Sequence, residues 1–506
     1  MKKQSFVTGA IILMIANAIS KILGAVFKIP LTYILKEEGM AIYNSAFQIY
    51  ALFLSFVISG IPFAIAKLVS EYGATGENKK IKAVIKTSTF LLLGMGLVGS
   101  ILLYFGAEFF AVAMKEERAA FAIRMLSPSV LMVALSCIYK NYFQGKGNMI
   151  PTAVSQVIES VIKLMAGYML ATMLIRFGTL VAAGGAALGV SIGEVIATIV
   201  LYVSYKLCSR DMNRIKADNT EIPDKIAAIA FPVLIASVLS SMLSVIDTSL
   251  LRKRLIDFGN SIEEARFLYG AYTGYALTVF HLPVGIMATF GVSILPVIAG
   301  SLASGKAERA KKAAITAIKL NIILSLPCAV GIYFLGETVL YALFRNTSSA
   351  MMLAMTAPCV VFLCVSQIAG SILNSAGKIM LSFWLGALSI VLKIILAYIL
   401  VGRYSIYGTI ISANIAYFVD MILSLWAAKR IIGLKYDIME IIIKPVCAAA
   451  VMVLVLYMVK VPFEAMFNNI YVRLIVSALL SGTVYLFSLF LFGGISIREM
   501  KKAVAK

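Results

Sequence analysis

Long apolar stretches follow one another along the whole chain, separated by short segments rich in charged residues. A helix needs about 20 apolar residues to cross a bilayer, and most of these stretches reach that length. The pattern therefore predicts an all-α polytopic membrane protein with about 14 transmembrane helices. The predicted spans are Phe6–Leu35, Tyr43–Ser70, Ile85–Met114, Ala122–Phe143, Ile150–Ile175, Ala182–Leu207, Ile226–Leu251, Tyr269–Ala299, Ala313–Phe334, Met351–Leu373, Met380–Val401, Tyr407–Ala428, Ile441–Val459 and Val472–Phe492.

The composition indicates the same class of protein. Of the 506 residues, 61% are hydrophobic, whereas soluble domains are about 45–50% apolar. The net charge of +21 would suggest nucleic-acid binding in a soluble protein, but here the basic residues lie in short loops between spans. We therefore expect no nucleic-acid partner. The single histidine argues against a histidine-based zinc site or catalytic triad, and no phosphate-cradling motif occurs, so we expect neither an enzyme nor a resident cofactor.

The loop charges predict the orientation of the chain. With the N-terminus inside and the spans alternating, the inner segments carry about twice as many Lys and Arg residues as the outer segments. This asymmetry is the one that the positive-inside rule demands. Both termini are therefore expected on the cytoplasmic side of the membrane, which agrees with an even number of spans.

An internal repeat relates two parts of the chain. Residues 125–170 align without a gap with residues 355–400, and the alignment pairs Lys163 with Lys393. Six predicted helices separate the copies, and an even number preserves orientation, so the repeats are parallel. Two such lobes around a central cavity form the architecture of an alternating-access carrier. The predicted parts are two pseudo-symmetric six-helix lobes at 1–215 and 220–435, and a C-terminal helix pair with a basic tail at 436–506.

The first span carries two lysines. Asn17, Lys21, Gly24 and Lys28 are spaced by three or four residues and share one helical face. A charge at the bilayer centre costs at least ~2.5 kcal/mol, so it is rarely idle. Pro30 predicts a bend just after Lys28. We interpret the span as a bent helix that presents cations to a water-filled cavity. In the alternative, Lys28 reaches the interface and Lys21 is a structural charge with a neighbouring partner.

The second span carries a further cation next to a predicted helix break. Gly60 and Pro62 can interrupt the helix, and Lys67 precedes Glu71 by four residues, so the two can pair. An interfacial ion pair and a role in substrate binding are both open for Lys67.

The repeat-related lysines differ in their surroundings. Lys163 follows Glu159 by one helical turn and shares its face, whereas Lys393 has Ser389 at the corresponding place. A cation without a local acidic partner suits an anionic ligand, although a partner from another helix would explain Lys393 equally well.

Acidic and amide groups also lie within the spans. Glu194, Asp247, Asn414 and Asp420 could bind a coupling Na⁺ or H⁺, because oxygen ligands suit hard cations. They could equally form structural pairs. We take Asp247, Asn414 and Asp420 as the ion-coupling candidates.

Four motifs stand out along the chain: Ser20-Lys21-Ile22-Leu23-Gly24, Glu38-Gly39, the stretch from Gly60 to Glu71, and Leu282-Pro283 with Leu295-Pro296. They resemble motifs of the polysaccharide-flippase branch of the MOP superfamily, whose nearest groups are the SpoVB stage V sporulation proteins and the MurJ-type lipid II flippases. The resemblance implies a monomeric flippase in the bacterial plasma membrane. Its substrate would be an undecaprenyl-pyrophosphate-linked glycolipid, above all the peptidoglycan precursor lipid II. It would move this substrate from the inner to the outer leaflet, coupled to Na⁺, H⁺ or the membrane potential.

The resemblance also implies site residues. In MurJ-type proteins, basic residues of the first helix line the cavity and meet the pyrophosphate. Lys21 corresponds to an arginine of that motif, and it keeps the charge but loses the bidentate fork. The stretch before Leu282 ends in His281 and lacks the acid–arginine pair of Gram-negative MurJ proteins. The expected substrate-binding set is Lys21, Lys28, Asn17, Lys67, Lys163 and Lys393.

Three other functions stay open. A MATE-type antiporter for cationic drugs would favour an acidic cavity, and the surplus of membrane lysines in the first lobe argues against it. A flippase for another undecaprenyl-linked unit, such as a teichoic or capsular one, fits the same residues. A scaffold without transport activity would leave the buried lysines as an unexplained cost.

Overall fold

The computed structural model describes residues 6–208, 222–303, 305–434, 436–466 and 469–494. The segment 209–221, which includes most of the polar link between the predicted lobes (209–224), and the basic tail from residue 495 lie outside the described residues. The regular structure in the described ranges is helical. The α-helices are α1 (Phe6–Ile58), α2 (Gly60–Ala74), α3 (Asn78–Phe105), α4 (Ala107–Ala113), α5 (Ala120–Gly145), α6 (Ile150–Leu174), α7 (Thr179–Cys208), α8 (Ile222–Asp257), α9 (Ile262–Ala271), α10 (Leu277–Ala303), α11 (Ala307–Phe344), α12 (Ala350–Ser375), α13 (Ile379–Tyr404), α14 (Ile406–Ile432), α15 (Lys444–Met466) and α16 (Ile470–Leu491). Short π-helical segments at Tyr272–Ala276 and Met439–Ile443 lead into α10 and α15.

The helix lengths confirm a polytopic membrane protein. In the described part of the chain, 12 helices are long and apolar enough to cross a membrane. The first of them, Ile15–Gly73, has 59 residues, which is enough for two spans. Helix α10 adds a further 27-residue apolar helix. Each of the 14 predicted spans therefore falls on helical segments, and the predicted all-α fold class is confirmed.

Two backbone breaks divide the first long helical stretch. Helix α1 passes through Pro30 and leaves the helical region at Lys36, where φ is 53° and ψ is −164°. A second break separates Ile58 from Gly60, which confirms the predicted interruption. A Cβ atom on Gly60 would lie 2.4 Å from the carbonyl oxygen of Ala230 in α8, so only glycine permits this approach. The freed backbone thus lies against protein, as it must within a membrane segment.

The two repeat copies have the same local structure. Helices α5 and α12 each have 26 residues and contain a proline at the equivalent position, Pro128 or Pro358. After each helix, a glycine with positive φ makes the turn: Gly147 at 73° and Gly377 at 76°. In both turns the glycine N–H donates to the carbonyl oxygen three residues earlier at 3.0 Å. The sequence repeat is therefore a repeat of helix, turn and helix.

The chain divides into two compact units, residues 1–274 and 275–506. The core of the first unit is built mainly by α1, α2, α3, α5 and α7. In the second unit, one core joins α10, α11, α12 and α14, and another joins α11 to α15 and α16. The lobes at 1–215 and 220–435 rest on the repeat rather than on compactness, and they stay a prediction.

A buried arginine fixes α8 to the rest of the first unit. Arg252 is 2% exposed. Its guanidinium donates to the carbonyl oxygens of Met114 and Ala41, both at 3.1 Å, and to the hydroxyl of Ser45. These three partners belong to α1 and to the segment after α4, so one side chain joins three parts of the fold.

A carboxylate and a second arginine complete this network. Glu116 Oε2 lies 3.5 Å from Arg252 Nη1, and Arg266 Nε donates to both Glu116 oxygens at 3.1 and 2.9 Å. The Arg252 guanidinium also lies 4.0 Å from the ring centroid of Tyr269 in α9. Buried charges persist only when they are paired and hydrogen-bonded, and this network meets that condition for Glu116.

We expect Glu116→Gln to destabilise the protein strongly, because it leaves two buried guanidinium groups without their carboxylate. Removal of one partner from a buried pair typically costs about 3–5 kcal/mol. Thermal unfolding of the purified protein in detergent measures the effect. Glu38→Gln is the matched control, since Glu38 pairs with Arg118 at 45% side-chain exposure and such pairs contribute about 0–1 kcal/mol. Equal midpoints for the two variants would contradict the assigned role of the network.

Candidate functional site

Helices α1, α6 and α7 approach one another closely because glycines face the contacts. A Cβ atom on Gly167 in α6 would lie 2.8 Å from the ring of Phe27 in α1. A Cβ atom on Gly189 in α7 would lie 2.3 Å from the backbone of Gly167. No side chain fits at either place without a shift of the helices. The polar residues of these three helices are therefore held at short range.

Amide side chains join α1 to α6. Gln156 Nε2 donates to Asn17 Oδ1 at 3.0 Å, and the hydroxyl of Ser20 donates to the carbonyl oxygen of Gln156 at 3.2 Å. Asn17, which the sequence places among the substrate-binding candidates, thus lies against α6 and is half-buried.

The same two helices bring Lys28 and Lys163 together. Both side chains are half-buried, and their ammonium groups are close enough to repel each other. Lys163 Nζ lies 5.2 Å from the ring centroid of Phe47. Among the residues that the structure describes, neither lysine has a carboxylate oxygen within 4.0 Å, the limit for an ion pair. Two predicted site residues from separate helices therefore form one cationic pair.

Glu159 does not pair with Lys163, although the sequence spacing predicts that contact. Its carboxylate accepts from Lys140 Nζ of α5 at 3.3 Å, and the two side chains are only 25% and 18% exposed. The prediction was wrong because the four-residue spacing considers side chains of one helix only. Lys140 belongs to a different helix, α5, which packs beside Glu159. Lys140 was missed as a site residue; its position inside an apolar segment was the available signal.

A second carboxyl group lies beside Glu159. Glu194 of α7 is 7% exposed, and its side chain contacts that of Glu159. Its Oε2 atom is buried and has no hydrogen-bond partner in the described structure. Lys140 and Lys163 are both close enough to attract this carboxyl group. The cluster of Lys28, Lys140, Lys163, Glu159 and Glu194 thus carries three cations and two acids.

The other predicted residues of the first unit are more exposed. Lys21 lies on the exposed face of α1. Lys67 lies 4.0 Å from Glu71, and both side chains are about half exposed, at 51% and 53%. The distance agrees with an ion pair, one of the two roles that the sequence leaves open for Lys67, and a role in substrate binding stays a prediction. Asp247 is half-buried on α8.

The predicted residues of the second unit contact neighbouring helices. Asn414 Nδ2 donates to the carbonyl oxygens of Met355 and Ile410, both at 3.0 Å. Asp420 accepts from the hydroxyls of Ser366 and Ser424, the latter at 3.2 Å. These bonds join α14 to α12.

Lys393 also belongs to the second unit, where it is half-buried on α13. It lies close enough to Cys359 of α12 to interact with it electrostatically.

Solved structures with the same architecture define the class of fold. An inward-facing multidrug resistance MATE family transporter of the MOP superfamily matches 84% of this chain and 98% of its own with a TM-score of 0.68, at 15% identity. A MOP superfamily transporter from Pyrococcus furiosus, described as having a binding pocket of reversed polarity, matches 85% of this chain and 97% of its own with a TM-score of 0.64, at 15% identity. The chain therefore has the fold of MOP superfamily transporters.

Sequence similarity then gives the family. The profile of the polysaccharide biosynthesis protein family matches residues 6–302, more than half of the chain, and the chain belongs to this family. The MatE profile matches residues 271–399. The lipid II flippase MurJ of Bacillus subtilis (strain 168) is 24% identical over 457 residues, which are 85% of this chain and 84% of that protein. Stage V sporulation protein B of the same organism is 26% identical over 436 residues, 84% and 82% of the two chains. The predicted membership of the MOP superfamily is confirmed.

We expect Gly189→Ala to destabilise the first unit, because the new methyl group meets the backbone of Gly167. Overpacking of this kind costs about 1–3 kcal/mol. Gly94→Ala is the control: Gly94 is also helical, and its Cβ would meet nothing within 4 Å, so alanine should be neutral or stabilising by up to about 1 kcal/mol. Thermal unfolding in detergent compares the two, and a Gly189→Ala midpoint at or above that of Gly94→Ala would show that the contact is looser than described.

Proposed function

We propose that this protein is a flippase that carries an undecaprenyl-diphosphate-linked glycan, most specifically the peptidoglycan precursor lipid II, from the inner to the outer leaflet of a bacterial plasma membrane. The observation that carries the proposal is the cationic pair of Lys28 and Lys163. The two lysines lie on the packed helices α1 and α6, near enough for their charges to repel, and neither has a carboxylate oxygen within 4.0 Å in the described structure.

The electrostatics of the pair suit a diphosphate. Like charges in a low-dielectric medium repel strongly, and the protein accepts this cost where a ligand of opposite charge relieves it. A diphosphate carries adjacent anionic groups, so it can meet two cations at once. When the anion crosses the bilayer it loses its hydration, which costs free energy. In this proposal, favourable interactions with the two lysines offset that cost. Asn17, Lys21, Lys67 and Lys393 complete the proposed set of substrate contacts.

An apolar cavity lies within the second unit. It has a volume of about 610 Å³ and lies between α11, α12, α14 and α15. Its walls include Leu326, Phe334, Phe362, Met421 and Val453, side chains that offer no partner to a sugar or a phosphate. Burial of apolar surface is the main interaction that these walls offer, so the cavity suits a hydrocarbon chain.

The remaining parts of the proposal follow from the family and the loop charges. Lipid II is the substrate named for the Bacillus subtilis relative MurJ, and the basic inner loops favour cytoplasmic termini. We propose a monomer without a resident cofactor. Coupling would use Na⁺, H⁺ or the membrane potential, with Asp247, Asn414 and Asp420 as candidate ion ligands.

Two alternatives keep the same fold. Another undecaprenyl-linked glycan presents the same diphosphate, so Lys28 and Lys163 serve it equally well. A cation antiporter of the MATE type is favoured by the buried acids Glu159 and Glu194 and by the fold of the solved transporters. The lysines beside those acids oppose it, since they repel a cationic drug.

The test is complementation of a bacterium depleted of its own lipid II flippase. We expect wild type to restore growth, and Lys28→Met or Lys163→Met to fail, because each removes one cation of the pair. In vesicles, we expect the rate of lipid II translocation to fall at least about tenfold, which corresponds to ~1.4 kcal/mol. Lys86→Met is the matched control, since Lys86 is an exposed lysine in the third turn of α3.

All variants are compared at equal membrane levels. Full rescue by both pair variants would remove the cationic pair from the site. Failure of a well-expressed wild type would exclude lipid II, and translocation of a teichoic or capsular precursor would then separate the two flippase proposals.

A further inference from the structure

Glu159 has two possible cationic partners, Lys163 on its own helix and Lys140 on α5. It contacts Lys140, which is farther away in sequence. Lys163 stands one turn after Glu159 on α6, with the acid N-terminal to the base, the favourable order for a helical pair. The carboxylate is instead bound by Lys140 from α5 at 3.3 Å. Lys163 is left beside Phe47 and Lys28.

The surroundings explain why Lys140 holds the carboxylate. Helix α5 supplies Lys140 on the side of Glu159 that also faces Glu194, so this ammonium attracts both acids. The Lys140–Glu159 pair is largely shielded from solvent, which strengthens the contact. The direct contact of Glu159 is thus with Lys140 of α5, although both acids also attract Lys163 over a longer distance.

We propose that Lys140 is a positioning residue: it binds Glu159 and thereby keeps the ammonium group of Lys163 available to the anionic part of the substrate. This inference rests on the proposed function, because it assigns Lys163 to the diphosphate. Lys140 itself contacts no substrate in this scheme. Without Lys140, Glu159 would turn to Lys163, and the site would lose one of its two cations.

The test is binding of undecaprenyl diphosphate to the purified full-length protein, measured by native mass spectrometry. We expect Lys140→Met to weaken binding about tenfold, as Lys163→Met does. Glu159→Gln removes the competing carboxylate, so alone it should bind at least as tightly as wild type. The double variant Lys140→Met/Glu159→Gln should recover binding to within about threefold of wild type. Lys140→Arg keeps a cation for Glu159 and should bind like wild type.

The recovery in the double variant separates positioning from the other roles of Lys140. If Lys140 contacted the diphosphate, or only stabilised the fold, removal of Glu159 would not restore binding, and either result overturns the inference. Unchanged binding by Lys140→Met, with weakened binding by Lys163→Met, would overturn the inference alone. Unchanged binding by Lys28→Met and Lys163→Met, or no binding by wild type, would overturn the proposed site and the inference with it. Equal unfolding midpoints confirm that the compared variants are folded.

Discussion

Charge inside a bilayer must be compensated by the protein, because the hydrocarbon provides neither water nor counterions. Burial within the protein makes the same demand on charges at the ends of the spans. The first unit holds its buried charges in two ways. Arg252 is surrounded by backbone carbonyls, a carboxylate and an aromatic ring, and it fixes α8 and α9 to the helices before them. Lys28 and Lys163 have no carboxylate oxygen within 4.0 Å among the residues that the structure describes. The first arrangement is satisfied within the fold, whereas the second is the one to which we assign the anionic part of the proposed substrate.

Hydropathy and the repeat predicted most of the fold. A span needs a continuous apolar run, so each membrane helix can be recognised from its own stretch of sequence. The turn after α5 recurs after α12 because Gly147 and Gly377 provide the same positive φ. The break at Gly60 was also predictable, since glycine and proline both weaken a helix and Pro62 follows Gly60 by two residues.

The site was only partly predictable, because its decisive contacts join distant parts of the chain. Spacing placed Lys28 on a polar face and the repeat drew attention to Lys163, but neither indicates that α1 and α6 bring the two side chains together. Local spacing paired Glu159 with the wrong lysine, since it ignores Lys140 on α5. The contact between Arg252 and Glu116 could not be predicted from the sequence. Each residue alone resembles an ordinary charge in a loop or at a helix end.

The two units have different chemistry. The ionic cluster lies in the first unit, on α1, α5, α6 and α7, and the apolar cavity lies in the second, between α11, α12, α14 and α15. The repeat gives both units similar helices, but the second copy has Ser389 at the position that corresponds to Glu159 of the ionic cluster.

The glycine contact between α6 and α7 has a consequence for substrate selectivity. Gly167 contacts Phe27 and Gly189, and so it determines how near α6 lies to α1. Lys28 and Lys163 lie on these two helices, so the distance between the helices affects the separation of their ammonium groups. A larger residue at position 167 is expected to change this separation without changing any charge. Under the proposed function, discrimination between one phosphate and two would then depend on an uncharged residue outside the proposed set of substrate contacts.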